Sequence, residues 1–124
     1  MSTLGDTFRG RSVLVTGHTG FKGSWLVAWL KRMGARVTGY ALPAPPESET
    51  PSLFRAARLH EGITHVEGDL RDRAALSACV ASAEPEVVLH LAAQSLVRHS
   101  YEEPVETFAT NVLGTWLLTE LLLP

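Results

Sequence analysis

Three glycines at a spacing of three residues, Gly17, Gly20 and Gly23, form the clearest chemical signal in this 124-residue chain. They lie in TGHTGFKG (residues 16–23), after a predicted buried strand and at the start of a predicted helix. Gly17 allows a sharp turn, Gly20 allows a ligand to approach the backbone, and Gly23 allows the helix to pack closely on the strand. Backbone N–H groups at a helix start bind phosphate. The pattern predicts a binding site for the diphosphate of a dinucleotide.

Two other interpretations of this segment are possible in principle. The phosphate loop of nucleoside triphosphatases requires lysine directly after glycine, so that the lysine reaches the terminal phosphates. Here Lys22 precedes Gly23, and this order excludes that class of site. The remaining alternative is a tight turn whose glycines are incidental.

The residues after the second predicted strand leave the choice between NAD and NADP open. A dinucleotide site is expected to carry an acidic residue roughly 20 residues after the glycines, where it binds the ribose hydroxyls. The strand ends at Tyr40, and the next acidic residue is Glu47. Arg36 opens the strand and should lie at the opposite edge of the sheet, so it does not favour NADP. Lys22 is a candidate partner for a 2′-phosphate.

The elements that must position this loop alternate between strands and helices. Short β-branched runs predict strands at residues 13–16, 36–40, 63–67 and 87–91. Apolar spacing and helix-start signals predict helices at residues 23–33, 52–59, 72–83 and from Pro104 toward Leu122. The prolines of residues 41–51 predict a loop. This order predicts an α/β fold: a Rossmann-type parallel sheet with four strands of a larger doubly wound fold and helices on both faces.

Composition excludes several classes of protein. With 11 basic and 13 acidic residues the net charge is -2, which argues against nucleic acid as a partner. The polar first residues contain no apolar signal-peptide core, and Asn111 and Glu120 interrupt the longest apolar stretch, so no membrane span is expected. One cysteine, Cys79, excludes a disulfide framework. We expect a cytoplasmic globular domain.

The histidines do not predict a metal site. None of the five pairs at helical metal-ligand spacing, and no cysteine or acidic cluster joins them, so no metal is expected. His90 lies in a predicted strand and is expected to pack in the core. His18 lies in the glycine loop and is a candidate cofactor contact.

Two further segments follow predicted strands, at the sheet edge where ligands bind. Asp69 and Leu70 follow the third strand. Asp69 is predicted either to bind the adenine amino group or to cap the following helix. Residues 91–94, LAAQ, follow the fourth strand. Their small side chains would let the backbone lie against a ribose or a nicotinamide, or would serve tight packing.

These motifs together resemble the extended short-chain dehydrogenase/reductase family. The residues that carry the resemblance are Thr16-Gly17-x-x-Gly20-x-x-Gly23, Asp69-Leu70, Leu91-Ala92-Ala93-Gln94 and Thr110-Asn111. Within the family, HTGFKGSW (residues 18–25) and LAAQSLVRHSYEEPVETFATNVLGT (residues 91–115) are most similar to the nucleotide-sugar 4,6-dehydratases that act on CDP-glucose. The resemblance covers the chain from Arg11 onward.

The resemblance implies that residues 1–124 are an NAD-binding domain without the sugar-nucleotide domain. NAD, rather than NADP, would oxidise the sugar at C4, water would leave across C5–C6, and the hydride would return to C6. By position, it implies substrate contacts from Ser95 and Arg98. It implies cofactor contacts from Gly17, His18, Thr19, Gly20, Phe21, Lys22, Tyr40, Asp69, Leu70, Leu91, Ala92, Ala93, Gln94 and Thr110.

One departure from the family pattern concerns catalysis. The family uses a Tyr-x-x-x-Lys pair, in which the lysine lowers the tyrosine pKa. Here Ala44 follows Tyr40 at that spacing and Val105 follows Tyr101, so the chain holds no such pair and is expected to be inactive alone. A non-catalytic dinucleotide-binding module and the cofactor half of an epimerase remain alternatives.

The last predicted helix has a wide apolar surface. One stripe is expected to pack on the sheet, but apolar residues continue round the helix through Leu118, Leu122 and Leu123. Since the family often dimerises through this helix, we expect a homodimer contact there, with Leu118 on the contacting face.

Overall fold

Four parallel strands form the centre of the fold, which a computed structural model describes over residues 3–124. They are β1 (Ser12–Thr16), β2 (Arg36–Ala41), β3 (Thr64–Glu67) and β4 (Val87–His90). Their spatial order is β3-β2-β1-β4, and every neighbouring pair is parallel. The order reverses between β1 and β4, and ligands of such sheets bind outside the carboxyl ends of the strands at this switch point.

Helices connect the strands and cover both faces of the sheet. They are α1 (Leu4–Phe8), α2 (Phe21–Arg32), α3 (Leu53–Ala56), α4 (Arg73–Ala83), α5 (Val97–Glu102), α6 (Pro104–Phe108) and α7 (Gly114–Leu122). A π-helical turn, Ala109–Leu113, joins α6 to α7. The predicted Rossmann-type α/β fold is confirmed. None of the helices within residues 3–124 combines the length and the hydrophobicity that a membrane span requires.

Two apolar clusters hold the helices against the sheet. On one face, Val13 and Val15 of β1 pack with α2 and α3; on the other, Leu14 packs with Leu76 of α4 and Leu118 of α7. Successive side chains of a strand point to opposite faces. Because both faces are covered, β1 is apolar at each of these positions and entirely buried.

Two short helices were not predicted. Thr3 and Asp6 form a capping box that starts α1, and this signal was present in the sequence. None of the five residues of α1 is buried, so the sequence has no apolar stripe there that would indicate a helix. Likewise, α5 has no buried residue and precedes Pro104, the predicted start of the last helix.

The prediction that Leu118 lies on the outer face of the last helix is wrong. Leu118 is 3% exposed and packs in the core, Leu122 is partly buried against the same cluster, and Leu123 alone of the three is largely exposed, at 67%. The difference lies in which side of the helix faces the sheet. At about 100° per residue, Leu118 lies on the side opposite Val112 and Trp116, and this opposite side packs on the sheet. The exposed apolar side chains instead come from Val105, Phe108, Val112, Leu113 and Trp116.

We predict that Leu118→Ala lowers the free energy of unfolding by about 2–5 kcal/mol, because it leaves a cavity between the sheet and α7. Leu123→Ala is the matched control and should change it by less than about 0.5 kcal/mol. Urea unfolding followed by circular dichroism measures both. Equal losses in the two variants would contradict this placement of α7.

Candidate functional site

A cleft of about 1010 Å³ crosses the carboxyl ends of all four strands. Its floor is the backbone that leaves each strand, and α6 and the π-helical turn close one side. The lining residues are Gly17, Thr19, Gly20, Phe21, Lys22, Gly23, Tyr40, Ala41, Leu42, Pro45, Gly68, Asp69, Leu70, Arg71, Leu91, Ala92, Ala93, Gln94, Ser95, Leu96, Glu106 and Thr110.

Gly17, the first glycine of the loop, lies at a close contact between two segments of backbone. Gly17 has φ +76°, and a Cβ placed there would lie 2.7 Å from the backbone N of Ala92. Its own N–H donates to the carbonyl of Tyr40 at 2.9 Å. Glycine is therefore required twice, for the left-handed conformation and for the contact between the loops that follow β1 and β4.

The other two glycines have different surroundings. A Cβ on Gly23 would lie 2.1 Å from the Gly17 carbonyl oxygen, whereas one on Gly20 would meet only that oxygen, at 3.4 Å. The buried hydroxyl of Ser24 shares its one proton between the carbonyl of Gly20, at 2.6 Å, and that of His18, at 3.2 Å. Gly23 thus has the packing role that its spacing predicted, and Gly20 leaves open space in front of the start of α2.

A polar network joins β1 to β4 at the switch point. The Thr16 hydroxyl accepts from the backbone N–H groups of Leu91 and Ala92, each at 3.1 Å. It lies 2.5 Å from His90 Nδ1, and His90 Nε2 lies 2.9 Å from the Thr115 hydroxyl. Thr115 donates to the Asn111 carbonyl, so it accepts from His90 Nε2–H, and Thr16 donates to Nδ1. His90 is therefore a fully paired member of this network.

A side-chain amide fixes the loop after β4. Asn111 Oδ1 accepts from the backbone N–H of Gln94 at 2.7 Å, and Asn111 Nδ2 donates to the Gln94 carbonyl at 2.9 Å. Asn111 lies in the π-helical turn, next to Thr110 on the cleft wall. The side-chain amide of Asn111 thus holds Gln94, which lines the cleft, by two hydrogen bonds; we call this pair of bonds the Asn111 clamp. Asn111 is also the chain neighbour of Thr110, another residue of the cleft wall.

The loop after β3 carries an ion pair. Asp69 accepts from the guanidinium of Arg71 at 2.6 and 3.0 Å and from its backbone N–H at 2.8 Å; the guanidinium bonds first, and then the backbone bond, lower the pKa of the carboxyl. Asp72, not Asp69, caps α4, so the capping hypothesis for Asp69 is wrong. The Tyr40 hydroxyl donates to the Asp69 carbonyl at 2.7 Å, and burial raises the pKa of Tyr40 to about 12.

Of the predicted contact residues, all but two line the cleft. His18 is fully buried beneath the glycine loop, so its side chain does not face the cleft as the cofactor prediction required. Arg98 extends into solvent from α5 and pairs with Glu102 at 3.5 Å, whereas Ser95 lies on the cleft wall.

Sequence reasoning missed three residues that shape the cleft from behind: Thr16, Asn111 and His65. Thr16 opens the glycine motif that carries the family resemblance, but it stands in an apolar run and was assigned no role. Asn111 contributed to the family resemblance, but that resemblance assigned it no role. The role of His65 depends on a contact with His18, from a distant part of the chain.

The described residues hold no candidate general base of the Tyr-x-x-x-Lys type. Tyr40 is buried under the loop after β3, and Tyr101 is 83% exposed on α5, with Val105 four residues later. Nor do three His, Cys, Asp or Glu side chains of residues 3–124 converge as metal ligands.

Comparison with known proteins agrees with this geometry. The sequence model of the GDP-mannose 4,6 dehydratase family matches residues 14–123. CDP-glucose 4,6-dehydratase of Salmonella typhimurium is 54% identical over 113 residues, 91% of this chain and 31% of that protein. UDP-glucuronate 4-epimerase 3 of Arabidopsis thaliana is 40% identical over 118 residues, 93% of this chain and 27% of that protein.

Solved structures show the same fold. An epimerase from Methanothermobacter thermautotrophicus superposes with a TM-score of 0.77 at 31% identity, covering 93% of this chain and 32% of that one. UDP-glucose 4-epimerase of Thermus thermophilus, solved with NAD, gives 0.73 at 34% identity, covering 88% and 32%. The chain thus spans about a third of the length of the relatives that it matches.

We predict that Gly23→Ala lowers the free energy of unfolding by about 1–3 kcal/mol or more, because its Cβ would overlap the Gly17 carbonyl. Gly20→Ala, in the same loop, should cost about 1 kcal/mol or less, since it changes only the N-cap of α2. Thermal unfolding of the two variants measures the difference. A Gly20→Ala loss as large as that of Gly23→Ala would contradict the assigned packing.

Proposed function

The chain belongs to the GDP-mannose 4,6-dehydratase family, and from this premise we propose that it is the NAD-binding part of a nucleotide-sugar 4,6-dehydratase that acts on CDP-glucose. The observation that carries the proposal is the glycine loop at the switch point of the sheet, opening onto a cleft that crosses all four strands. The 54% identity to a CDP-glucose 4,6-dehydratase supports the choice of sugar nucleotide.

The residues present fit a dinucleotide. Gly20 faces open space at the start of α2, and only the Gly17 carbonyl would meet a side chain added there. The N–H groups of the first turn of α2 are free to bind a diphosphate, and the helix dipole favours its charge. The adenosine would lie toward Tyr40 and Asp69, and the nicotinamide toward Ala92 and the loop after β4.

The surroundings of the adenosine ribose support NAD over NADP. Leu42, after β2, is an exposed apolar residue, and Arg71 is already paired with Asp69. A 2′-phosphate would therefore meet one neutralised arginine and an apolar side chain. Lys22 is the remaining basic residue on the cleft wall. We infer that a 2′-phosphate gains too little there to offset its desolvation.

When bound, NAD supplies an acceptor for the C4 hydride of the sugar and a donor that returns it. In this chain the glycine loop would bind the diphosphate, the Asn111 clamp would hold the loop beside the nicotinamide, and Ser95 would face the sugar nucleotide. The Arg98 side chain lies outside the cleft, so it would reach the substrate only by leaving Glu102. The proton-transfer residues would come from other parts of the protein, and we propose that this chain is inactive alone.

The cofactor half of a nucleotide-sugar epimerase is the second candidate. UDP-glucuronate 4-epimerases match this chain at about 40% identity, and the epimerase structures share its fold. Both activities would use the same cofactor cleft.

A homodimer contact through the last helices is also proposed. Val105, Phe108, Val112 and Trp116 leave much of their apolar surface in water, which favours a protein contact. Leu118 takes no part, since it is core.

We predict that isothermal titration calorimetry shows one NAD site per chain and weaker binding of NADP. Gly20→Val should weaken NAD binding more than about tenfold, because its side chain fills the space for the diphosphate. Gly5→Val, on the remote helix α1, is the matched control and should bind as the unaltered chain does.

Circular dichroism on the same samples establishes that each variant is folded. Two results would contradict the proposal: a folded, unaltered chain that binds neither nucleotide, or a Gly20→Val variant whose NAD affinity is unchanged.

A further inference from the structure

The His18 side chain occupies the space directly beneath the glycine loop. It is fully buried, although the residues on either side of it, Gly17 and Thr19, line the cleft. Room for the ring exists because β2 carries glycine there: a Cβ on Gly39 would lie 2.3 Å from His18 Cδ2. The ring also packs edge-on against Phe54 of α3, at 5.3 Å between ring centroids.

A chain of hydrogen bonds runs from this buried ring to the surface. His18 Nε2 lies 2.7 Å from His65 Nδ1, and His65 Nε2 lies 3.3 Å from a carboxylate oxygen of Glu67. We call His18, His65 and Glu67 the histidine relay. Glu67 is more than half exposed, so the relay ends in solvent.

The carboxylate of Glu67, at the exposed end of the relay, determines which ring nitrogens donate and which accept. An ionised carboxylate only accepts, so His65 Nε2 carries a proton and, in the neutral ring, His65 Nδ1 accepts. His18 Nε2 must then be the donor to His65. This leaves His18 Nδ1 unprotonated. That buried atom makes no hydrogen bond of acceptable geometry among the described residues, although the backbone of Tyr40 lies beside the ring. One tautomer of each ring therefore satisfies both hydrogen bonds of the relay and leaves His18 Nδ1 without one.

We propose that His18 is a positioning residue, whose neutral imidazole, held in one tautomer by His65 and Glu67, fixes the backbone of the glycine loop in the conformation that binds the diphosphate. That the glycine loop binds a diphosphate rests on the proposed function. That His18 holds the loop in place does not, since it concerns contacts within the chain. The His18 carbonyl, which accepts from the Ser24 hydroxyl, ties the same residue to α2.

The relay makes the loop sensitive to pH. Within residues 3–124, the only titratable side chain facing His18 is that of His65, which Glu67 faces in turn; the backbone of Tyr40 and the rings of Phe54 and, behind it, His60 complete the surroundings. Burial first, and then His65, lower the pKa of His18 from 6.5 to about 4. The His18 ring is therefore protonated at a higher pH in the unfolded chain than in the folded chain. The contribution of His18 to stability is complete above pH 6.5 and is lost as the pH falls toward 4.

The test uses NMR of the ¹⁵N-labelled, nucleotide-free chain at about pH 7.5, above the ordinary pKa of histidine. We expect His18 protonated at Nε2 only, and slow hydrogen exchange at the backbone amides of Gly17 and Gly20. His18→Leu preserves an apolar side chain of similar size but removes the donor, and should speed this exchange by about tenfold or more. His18→Gln, whose amide can donate to His65, should restore most of the protection.

Two further variants complete the design. Glu67→Ala should leave His65 in a mixture of tautomers, and His99→Leu, on α5 outside the relay, is the control that should change neither tautomers nor exchange. Protonation of His18 at Nδ1 under the same conditions would overturn the proposal. So would His18→Leu with unchanged exchange at Gly17 and Gly20.

Nucleotide binding separates this proposal from the previous one. If His18→Leu weakens NAD binding by about tenfold and His18→Gln restores it, both proposals gain support. A chain with an intact relay that binds no NAD would overturn the proposed function and leave the anchoring role established.

Discussion

The close approach of three backbone segments at the switch point is the constraint on which the cleft depends. Gly17 packs against the backbone of Ala92 after β4, and Gly23 packs against the Gly17 carbonyl. No Cβ fits at either contact. These distances bring the start of α2 and the loops after β1 and β4 to one edge of the sheet, where helix N–H groups can meet a charged ligand.

Polar side chains hold this arrangement from behind. Thr16 binds two backbone N–H groups after β4, Asn111 clamps Gln94, and Tyr40 supports the carbonyl of Asp69. Beneath the glycine loop, His18 adds the fourth support. Thr16, Asn111 and Tyr40 each replace water that the loop backbone would otherwise need, whereas His18 acts through packing and its bond to His65. The loops around the cleft are thus held in place before a ligand arrives.

Sequence reasoning succeeded where a local rule decides the structure. Glycine spacing predicted the roles of Gly17 and Gly23, because steric limits on the backbone act over a few residues, and β-branched runs predicted the parallel sheet. It failed where partners are distant in the chain. The inward direction of His18 depends on the space above Gly39. The core position of Leu118 depends on Leu14 and Leu76, which are distant in the chain and decide which apolar side of the last helix faces the sheet.

The most direct test of the cleft as a nucleotide site is an NAD titration of the ¹⁵N-labelled chain, with every backbone amide followed. We expect the largest, saturable shifts at Gly17, Thr19, Gly20 and Phe21, and no shift of the Trp116 indole outside the cleft. Saturable shifts centred on Trp116, or none in the glycine loop of a folded chain, would contradict this assignment.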